Sequence, residues 1–138
     1  MIVLLDTDIC IYIIRQKPIT VLQKFHTYTV GDIGVSSVTV AELFVGAQKS
    51  QRPEHNHHAV EQFLLPLTIV PFDYDAAVAY GYIRARLEHQ GMPIGALDTL
   101  IAAQAVSLGV TLATNNGREF LRVPDLTVED WVNPPAQP

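Results

Sequence analysis

Two carboxylates stand directly after the first apolar run of the chain. Asp6 follows residues 2–5 (IVLL) without a spacer, and Asp8 comes two positions later. Taken singly, each has an ordinary explanation, because Asp is common in the turn after a strand and is also a frequent N-cap of the next helix. Their chemistry depends on whether other acids reach the same place in the fold, since clustered carboxylates repel one another unless a cation holds them.

Two more acids stand in or beside apolar segments. Glu42 interrupts the apolar residues 40–45, and a single acid there is costly unless it is paired, hydrogen-bonded or bound to a metal. Thr39 and Glu42 have the spacing of a capping box, but the serine pair before them offers the better helix cap. Asp98 precedes the apolar residues 99–108, where an isolated Asp is typical of an N-cap. Glu42 and Asp98 can take part in catalysis or metal binding only if the fold brings them close to Asp6 and Asp8.

A third group of polar side chains follows the apolar residues 110–113. Asn116 and Glu119 could supply oxygen ligands, and Thr114, like Asp8, is a candidate for a supporting contact. Asn116 and the glycine after it are also an ordinary turn pair. Each group therefore has a structural explanation alone, and the functional interpretation depends on all of them meeting at one place.

These side chains would be positioned by alternating strands and helices. Apolar runs predict strands at residues 2–5, 33–35, 67–72, 110–113 and 126–128, and helical patterns fall between them at residues 9–14, 18–26, 37–49, 53–65, 73–91 and 98–108. Such alternation is typical of the α/β class with a mainly parallel sheet, whose ligands bind at the carboxyl ends of the strands. Because the acids follow strands or begin helices, we expect them to meet at that edge.

A cluster of carboxylates at one sheet edge points to a hard metal ion. Oxygen ligands suit Mg²⁺ or Mn²⁺, which keep several waters and take phosphate oxygens as further ligands. A metal held in this way activates water and stabilises the charge that develops during phosphoester hydrolysis. The pattern therefore predicts a metal-dependent hydrolase of phosphoester bonds.

The composition sets bounds on the fold and on the partners. The chain has 138 residues, 49% of them hydrophobic and 17% charged, which suits one folded domain, predicted at residues 1–132, with a Pro-rich tail at 133–138. The net charge of −5 disfavours a protein that merely coats nucleic acid, but a nuclease remains compatible with it. The single cysteine, Cys10, indicates a reducing cytoplasm, and the uncharged residues 99–117 hold too many polar groups for a membrane span.

In four ordered blocks the chain resembles the PIN domain, and specifically the VapC toxin ribonucleases of bacterial toxin–antitoxin pairs. The blocks are residues 4–8 (LLDTD), 33–43 (IGVSSVTVAEL) with 46–47 (GA), 95–103 (GALDTLIAA) and 114–120 (TNNGREF). The resemblance covers essentially the whole chain. It implies a Rossmann-like three-layer α/β fold, in which helices flank a parallel sheet, and a Mg²⁺-dependent endoribonuclease site that Mn²⁺ could also serve.

The resemblance also implies roles for the acids. Asp6, Glu42 and Asp98 match the three core acids of the family, which makes them the expected catalytic metal ligands. Many relatives carry Asp where this chain has Asn116, so either Asn116 or Glu119 is expected to complete the catalytic set, and the number of metals stays open. The implied partners are an RNA substrate, a VapB-like antitoxin that blocks the site, and a second copy of the chain in a homodimer.

Other side chains and other functions were weighed against this interpretation. Arg118 and Arg122 are the best placed to contact RNA phosphates, whereas residues 55–58 (HNHH) are predicted to form a solvated surface cluster. A catalytically inactive PIN-like binding module would require a broken acid set. An aspartate-based phosphatase would use residues 6–8 (DTD), but Cys10 stands where that family usually has Thr or Val.

Overall fold

The computed structural model describes residues 1–135, and residues 136–138 of the predicted tail lie outside the described part. The strands are Val3–Leu5 (β1), Ile33–Ser36 (β2), Thr68–Val70 (β3), Thr111–Thr114 (β4) and Val128–Asp130 (β5). The helices are Thr7–Arg15 (α1), Ile19–Phe25 (α2), Ser37–Lys49 (α3), Pro53–Leu64 (α4), Tyr74–His89 (α5), Ala96–Leu108 (α6) and Gly117–Phe120 (α7). A 3-10 turn at Val30–Asp32 leads into β2.

The five strands pair in parallel in the order β3-β2-β1-β4-β5. The central strand β1 is fully buried, and its side chains alternate between the two faces of the sheet. Val3 and Leu5 pack against the core formed with α1 to α4, whereas Leu4 packs against the core formed with α5 to α7. The predicted three-layer α/β fold with a parallel sheet flanked by helices is confirmed.

The strand order creates a topological switch point between β1 and β4. From β1 the chain proceeds outward through β2 to β3, and it then returns to β4 on the other side of β1. In α/β sheets the ligand crevice lies at the carboxyl ends of the two strands at such a point. Asp6 directly follows β1 and Thr114 ends β4, so both residues stand at this crevice.

Two helices begin earlier than the predicted caps suggest. Asp6 is the N-cap of α1, because its extended backbone lets the carboxylate accept a hydrogen bond from Thr7 N at 2.8 Å. Gly95 is the N-cap of α6, which places Asp98 inside the first turn. The N-cap interpretation of Asp8 and Asp98 is therefore wrong, and neither carboxylate is needed to start its helix.

The start of α3 agrees with the prediction. Ser36 is the N-cap, and its hydroxyl accepts a hydrogen bond from Val38 N at 3.1 Å. Glu42 therefore lies inside the helix, and the spacing between Thr39 and Glu42 is not a capping box. An acid at this position has no part in starting α3, so its presence requires another explanation.

Two short elements depart from the predictions. A helical turn, α7, forms where the sequence indicates only a turn. β5 begins two residues later than predicted, because its register is set by pairing with the end of β4. The uncharged stretch forms α6 and β4, and within residues 1–135 no helix is both long enough and apolar enough to cross a membrane.

Candidate active site

Asp6 lies in the crevice between β1 and β4. It is only 4% exposed, and its carboxylate accepts hydrogen bonds from Thr7 N at 2.8 Å and from the Thr114 hydroxyl at 2.7 Å. The pKa of Asp6 is raised to about 7, first by burial and then by the charge of Asp8, against the opposing effect of the two hydrogen bonds. The ionised form is therefore costly unless a cation approaches it.

Asp8 stands beside Asp6 in the first turn of α1. One of its oxygens, Oδ2, accepts a hydrogen bond from Asn115 N at 3.2 Å, whereas Oδ1 is buried and has no hydrogen-bond partner among residues 1–135. Burial raises the pKa of Asp8, and the charge of Asp98 adds to the rise. This oxygen is therefore open to a further partner, such as a bound ion or a water.

Glu42 reaches the same region from α3. The hydroxyl of Thr7 donates a hydrogen bond to Glu42 Oε1 at 2.8 Å, and it also lies 3.2 Å from the hydroxyl of Thr39. Thr39 is fully buried one turn before Glu42. The first turn of α1 therefore holds the Glu42 carboxylate in place, which explains an acid in the middle of an otherwise apolar helix.

Asp98 reaches the site from the first turn of α6. Its pKa is raised to about 6, first by burial and then by the charges of Asp6, Glu119 and Glu42. The charges of Asp6, Glu119 and Glu42 act on Asp98, so the four carboxylates face one region of the molecule. The structure thus brings together acids that are separated by as much as 113 positions in the chain.

Asn116 and Glu119 act as a pair after β4. The amide of Asn116 donates a hydrogen bond to Glu119 Oε2 at 3.0 Å, and Asn116 N donates to the Thr114 hydroxyl at 2.8 Å. Glu119 is the member of the pair whose charge reaches Asp98. Glu119 therefore adds a negative charge to the site, and its hydrogen bond with Asn116 orients its carboxylate.

The donor set fits a hard cation. The pKa values of Asp6 and Asp98 are raised in part by other carboxylates, and a bound cation would lower both. Within residues 1–135 no three His, Cys, Asp or Glu side chains are close enough to enclose an ion by themselves. This arrangement suits Mg²⁺, which typically keeps several waters and uses one or two carboxylates together with substrate phosphates as ligands.

The predicted RNA contacts and the histidine cluster lie outside the acid set. Arg118 is exposed on α7, and Arg122 is exposed and donates a hydrogen bond to the carbonyl of Pro93 at 3.4 Å. Arg122 therefore borders the loop that leads into α6. His55 and His58 are exposed on α4, as expected of a solvated surface cluster.

Comparison with known proteins identifies the family. Residues 3–126 match the family model of the PIN domain. The chain belongs to the PIN-domain family. It is 45% identical to the tRNA(fMet)-specific endonuclease VapC of Shigella flexneri, over 93% of this chain and 96% of that protein. It is 46% identical to ribonuclease VapC2 of Haemophilus influenzae, over 94% of this chain and 97% of that protein.

Solved structures show the same fold as this PIN-domain chain. A chain of the DNA-bound VapBC structure from Salmonella typhimurium matches with a TM-score of 0.90 and 41% identity, over 95% of this chain and 98% of that chain. A chain of VapBC2 from Rickettsia felis, bound to a promoter DNA fragment, matches with a TM-score of 0.87 and 38% identity, over 95% of this chain and 99% of that chain. The resemblance to VapC ribonucleases is confirmed.

Two supporting residues of the PIN-domain site were not predicted from the sequence. Thr7 and Thr39 flank the Glu42 carboxylate, and neither was among the candidate residues. The available signal was the position of Thr7 between two acids at the start of a helix, where its hydroxyl has few local partners. Which distant carboxylate it meets depends on how α1 packs against α3, which the residue pattern does not specify.

Proposed function

We propose that this PIN-domain chain is a metal-dependent endoribonuclease and the toxin of a type II toxin–antitoxin pair. The observation that carries the proposal is the meeting of Asp6, Glu42, Asp98 and Glu119 at the switch point of the sheet, where burial and mutual repulsion raise the pKa values of Asp6 and Asp98. A site of this kind is poised for a divalent cation and a phosphate. The names of the relatives support RNA as the substrate.

Asp6, Glu42 and Asp98 would hold Mg²⁺, or Mn²⁺ in its place, with one or two of these carboxylates as direct ligands and the rest acting through bound waters. The ion would supply the Lewis acidity that activates water and stabilises charge on the scissile phosphate. The chain's own residues orient these ligands. Thr114 and Thr7 hold the carboxylates of Asp6 and Glu42 by hydrogen bonds of 2.7 Å and 2.8 Å. In-line attack by water then leaves a 5′-phosphate and a 3′-hydroxyl.

Initiator tRNA is the first substrate to test, because the VapC of Shigella flexneri is named for that RNA. Arg118 and Arg122 support the proposal, since both are exposed and follow the strand that delivers Thr114 to the site. They would contact the phosphates on either side of the cleaved bond. Replacing a phosphate contact of this kind weakens RNA binding without changing the fold.

We assign the antitoxin to a groove beside Glu42. A groove of about 240 Å³ lies between α1, α3 and α4, and its largely apolar lining also includes the polar residues Arg15, Glu42, Ser50 and Asn56. The matching chains from Rickettsia felis and Salmonella typhimurium belong to VapBC structures. A segment of a VapB-like antitoxin would fill the apolar part, and a basic side chain from it would reach the acids and block the site.

The homodimer is supported by a stripe of exposed apolar side chains on α5. Tyr74, Val78 and Tyr82 follow one another at helical spacing and are 81%, 58% and 57% exposed. Large apolar side chains exposed along one helix face are typical of an interface. A second copy of the chain is the partner we propose, together with a cytoplasmic location for the pair.

The experiment that tests this function is cleavage of initiator tRNA and of total bacterial RNA. Purified protein is incubated with Mg²⁺, with EDTA, and with EDTA followed by excess Mg²⁺. We expect cleavage that EDTA stops and Mg²⁺ restores, with products that carry 5′-phosphate ends. A folded protein that cleaves neither RNA sample would favour an inactive binding module, and a phosphorylated Asp6 after exposure to phosphomonoesters would favour the phosphatase.

A further inference from the structure

Gln104 is a buried polar residue in the middle of α6, outside the acid set. Its relative exposure is 0%, and its neighbours in the helix, from Ile101 to Ala105, are apolar and equally buried. An uncharged amide in such surroundings is costly unless both its acceptor and its donor find partners. A leucine or methionine would fill the same space without that cost, so the amide needs an explanation.

The Gln104 amide joins three elements. Its Oε1 accepts a hydrogen bond from the Ser36 hydroxyl at 3.0 Å, and its Nε2 donates to the carbonyl of Pro71 at 3.4 Å. Ser36 ends β2 and is also the N-cap of α3, whose Val38 N donates to the Ser36 hydroxyl oxygen at 3.1 Å. The serine hydroxyl is therefore fully used, as a donor to α6 and as an acceptor from α3.

The elements joined in this way carry two of the clustered acids. Glu42 lies on α3, which packs on one face of the sheet, and Asp98 lies on α6, which packs on the other face. The direct contact between these two helices is small, and it is made at the start of α3, where Val38 packs against the core that contains α6. The Ser36–Gln104 hydrogen bond crosses between the layers and is buried at both ends.

We propose that Gln104 is a positioning residue that fixes α6 relative to the start of α3, so that Asp98 and Glu42 meet at the distance a shared cation requires. The inference rests on the proposed metal-dependent function of that site. Gln104 touches neither the acids nor the substrate, and it acts only through Ser36 and the two helices. Its loss leaves the Ser36 hydroxyl without an acceptor and frees the first turn of α3 to shift.

The test replaces Gln104 by methionine, which keeps the length of the side chain but has no donor and only a weak acceptor in its thioether sulfur. The control is Ile101→Val on the same helix, which disturbs packing but leaves the Ser36–Gln104 hydrogen bond in place. We expect Gln104→Met to lower kcat about tenfold or more with little change in KM, since displacement of catalytic groups by about 1 Å costs up to about 100-fold. Ile101→Val should leave kcat within about twofold, as expected of a residue that contributes packing alone.

Binding of Mn²⁺ alone, followed by electron paramagnetic resonance, gives a second measurement that needs no RNA. We expect Gln104→Met to weaken Mn²⁺ binding at least about fivefold while Ile101→Val leaves it unchanged, because the acids in the two layers no longer hold a common distance. If the wild-type protein cleaves no RNA, the ribonuclease proposal fails, and the Mn²⁺ affinities still decide the role of Gln104.

A Gln104→Met protein that matches Ile101→Val in both kcat and Mn²⁺ affinity would overturn the inference. If Gln104→Met does not fold, Ser36→Ala cuts the same hydrogen bond from the α3 side and must produce the same loss of Mn²⁺ affinity. The inference also fails if folded Ser36→Ala binds Mn²⁺ as tightly as the wild type.

Discussion

At the scale of single residues, the site is defined by carboxylates whose ionised forms are costly. Burial is the first cause of the raised pKa values of Asp6, Asp8 and Asp98, and repulsion from neighbouring carboxylates is the second. The Thr114 hydroxyl opposes this effect at Asp6 by donating a hydrogen bond to the ionised form. A bound metal ion would stabilise the ionised carboxylates much more strongly than this one hydroxyl does. The site is therefore suited to binding a cation.

These titrations predict how the metal-free protein responds to pH. The pKa values of Asp6 and Asp98 are about 7 and about 6 in the folded chain, against 3.8 for an unperturbed Asp side chain. The folded state therefore binds more protons than the unfolded state between these values, and stability falls as the pH rises. We expect the free energy of unfolding in EDTA to fall between pH 4.5 and pH 8, by an amount on the order of a few kcal/mol.

The same unfolding experiment contains its own controls. Addition of Mg²⁺ should restore most of the loss at pH 8, because the cation binds the ionised acids of the folded state only. Asp98→Asn should flatten the pH dependence in EDTA, since it removes one of the acids whose pKa is raised in the folded state. A free energy of unfolding in EDTA, measured with denaturant, that increases as the pH rises would contradict the assignment.

The hydrogen bond from Thr7 to Glu42 gives a second prediction. Thr7→Val keeps the shape of the side chain but removes the donor that holds Glu42 Oε1 at 2.8 Å. A hydrogen bond to a charged group contributes roughly 1.5–3 kcal/mol, so we expect kcat for RNA cleavage to fall by about 10- to 100-fold. Thr20→Val is the matched control, because it removes a threonine hydrogen bond, to the Val132 carbonyl, that involves none of the acids of the site, and it should leave kcat unchanged.

At the scale of elements, the sequence predicts the fold better than it predicts the contacts within the site. Apolar runs and their alternation with helical patterns suffice for a parallel sheet, because each element is specified by its own residues. The meeting of the acids was predicted from one rule, that ligands bind at the carboxyl ends of the strands in a parallel sheet. The contacts of Thr7 and Gln104 could not be predicted, since each depends on the packing of two helices that are distant in sequence.

The errors at helix starts have a local cause. Asp is favoured both as an N-cap and within the first turn, because the helix dipole attracts negative charge at either place. Composition alone therefore cannot decide between Gly95 and Asp98 as the cap of α6. The backbone decides it, since Thr99 N bonds to the carbonyl of Gly95 at 2.9 Å.

The cap of α5 gives a prediction that separates stability from function. Asp73 Oδ1 accepts a hydrogen bond from Ala76 N at 3.1 Å, and α5 carries none of the acids of the site. We expect Asp73→Ala to lower the free energy of unfolding by about 1 kcal/mol while kcat stays unchanged. Asp75→Ala removes an acid from the same turn without removing the capping bond and should cost clearly less; an equal cost would argue against the cap.

At the scale of the whole molecule, a net charge of −5 means that the protein repels RNA unless a cation neutralises part of the acid site. RNA binding would therefore require a bound metal and the exposed arginines to contact the RNA phosphates at the same edge of the sheet. The groove between α1, α3 and α4 opens beside Glu42, so an antitoxin could occupy the groove and the site together. Substrate and inhibitor would then compete for one end of the molecule.

The groove predicts a variant that escapes the antitoxin. Gly46 lines the groove and has open space where a Cβ would stand, so Gly46→Phe should fold normally and fill the groove. We expect its affinity for the cognate VapB-like antitoxin to fall at least about tenfold, while RNA cleavage is retained. Gly31 also has open space around it and lies just before β2, so Gly31→Phe serves as the control and should bind the antitoxin normally. Unchanged binding by Gly46→Phe would place the antitoxin elsewhere.

The most direct test of the central claim is the rate of RNA cleavage by the wild type and by Asp98→Asn during a titration with Mg²⁺. Initiator tRNA and total bacterial RNA serve as substrates, and thermal unfolding verifies that both proteins are folded. We predict cleavage by the wild type that rises with Mg²⁺ and is lost in Asp98→Asn by a factor of at least about 100, because the substitution removes a ligand of the catalytic ion. Equal cleavage by the two proteins, or cleavage that persists without a divalent cation, would contradict the account.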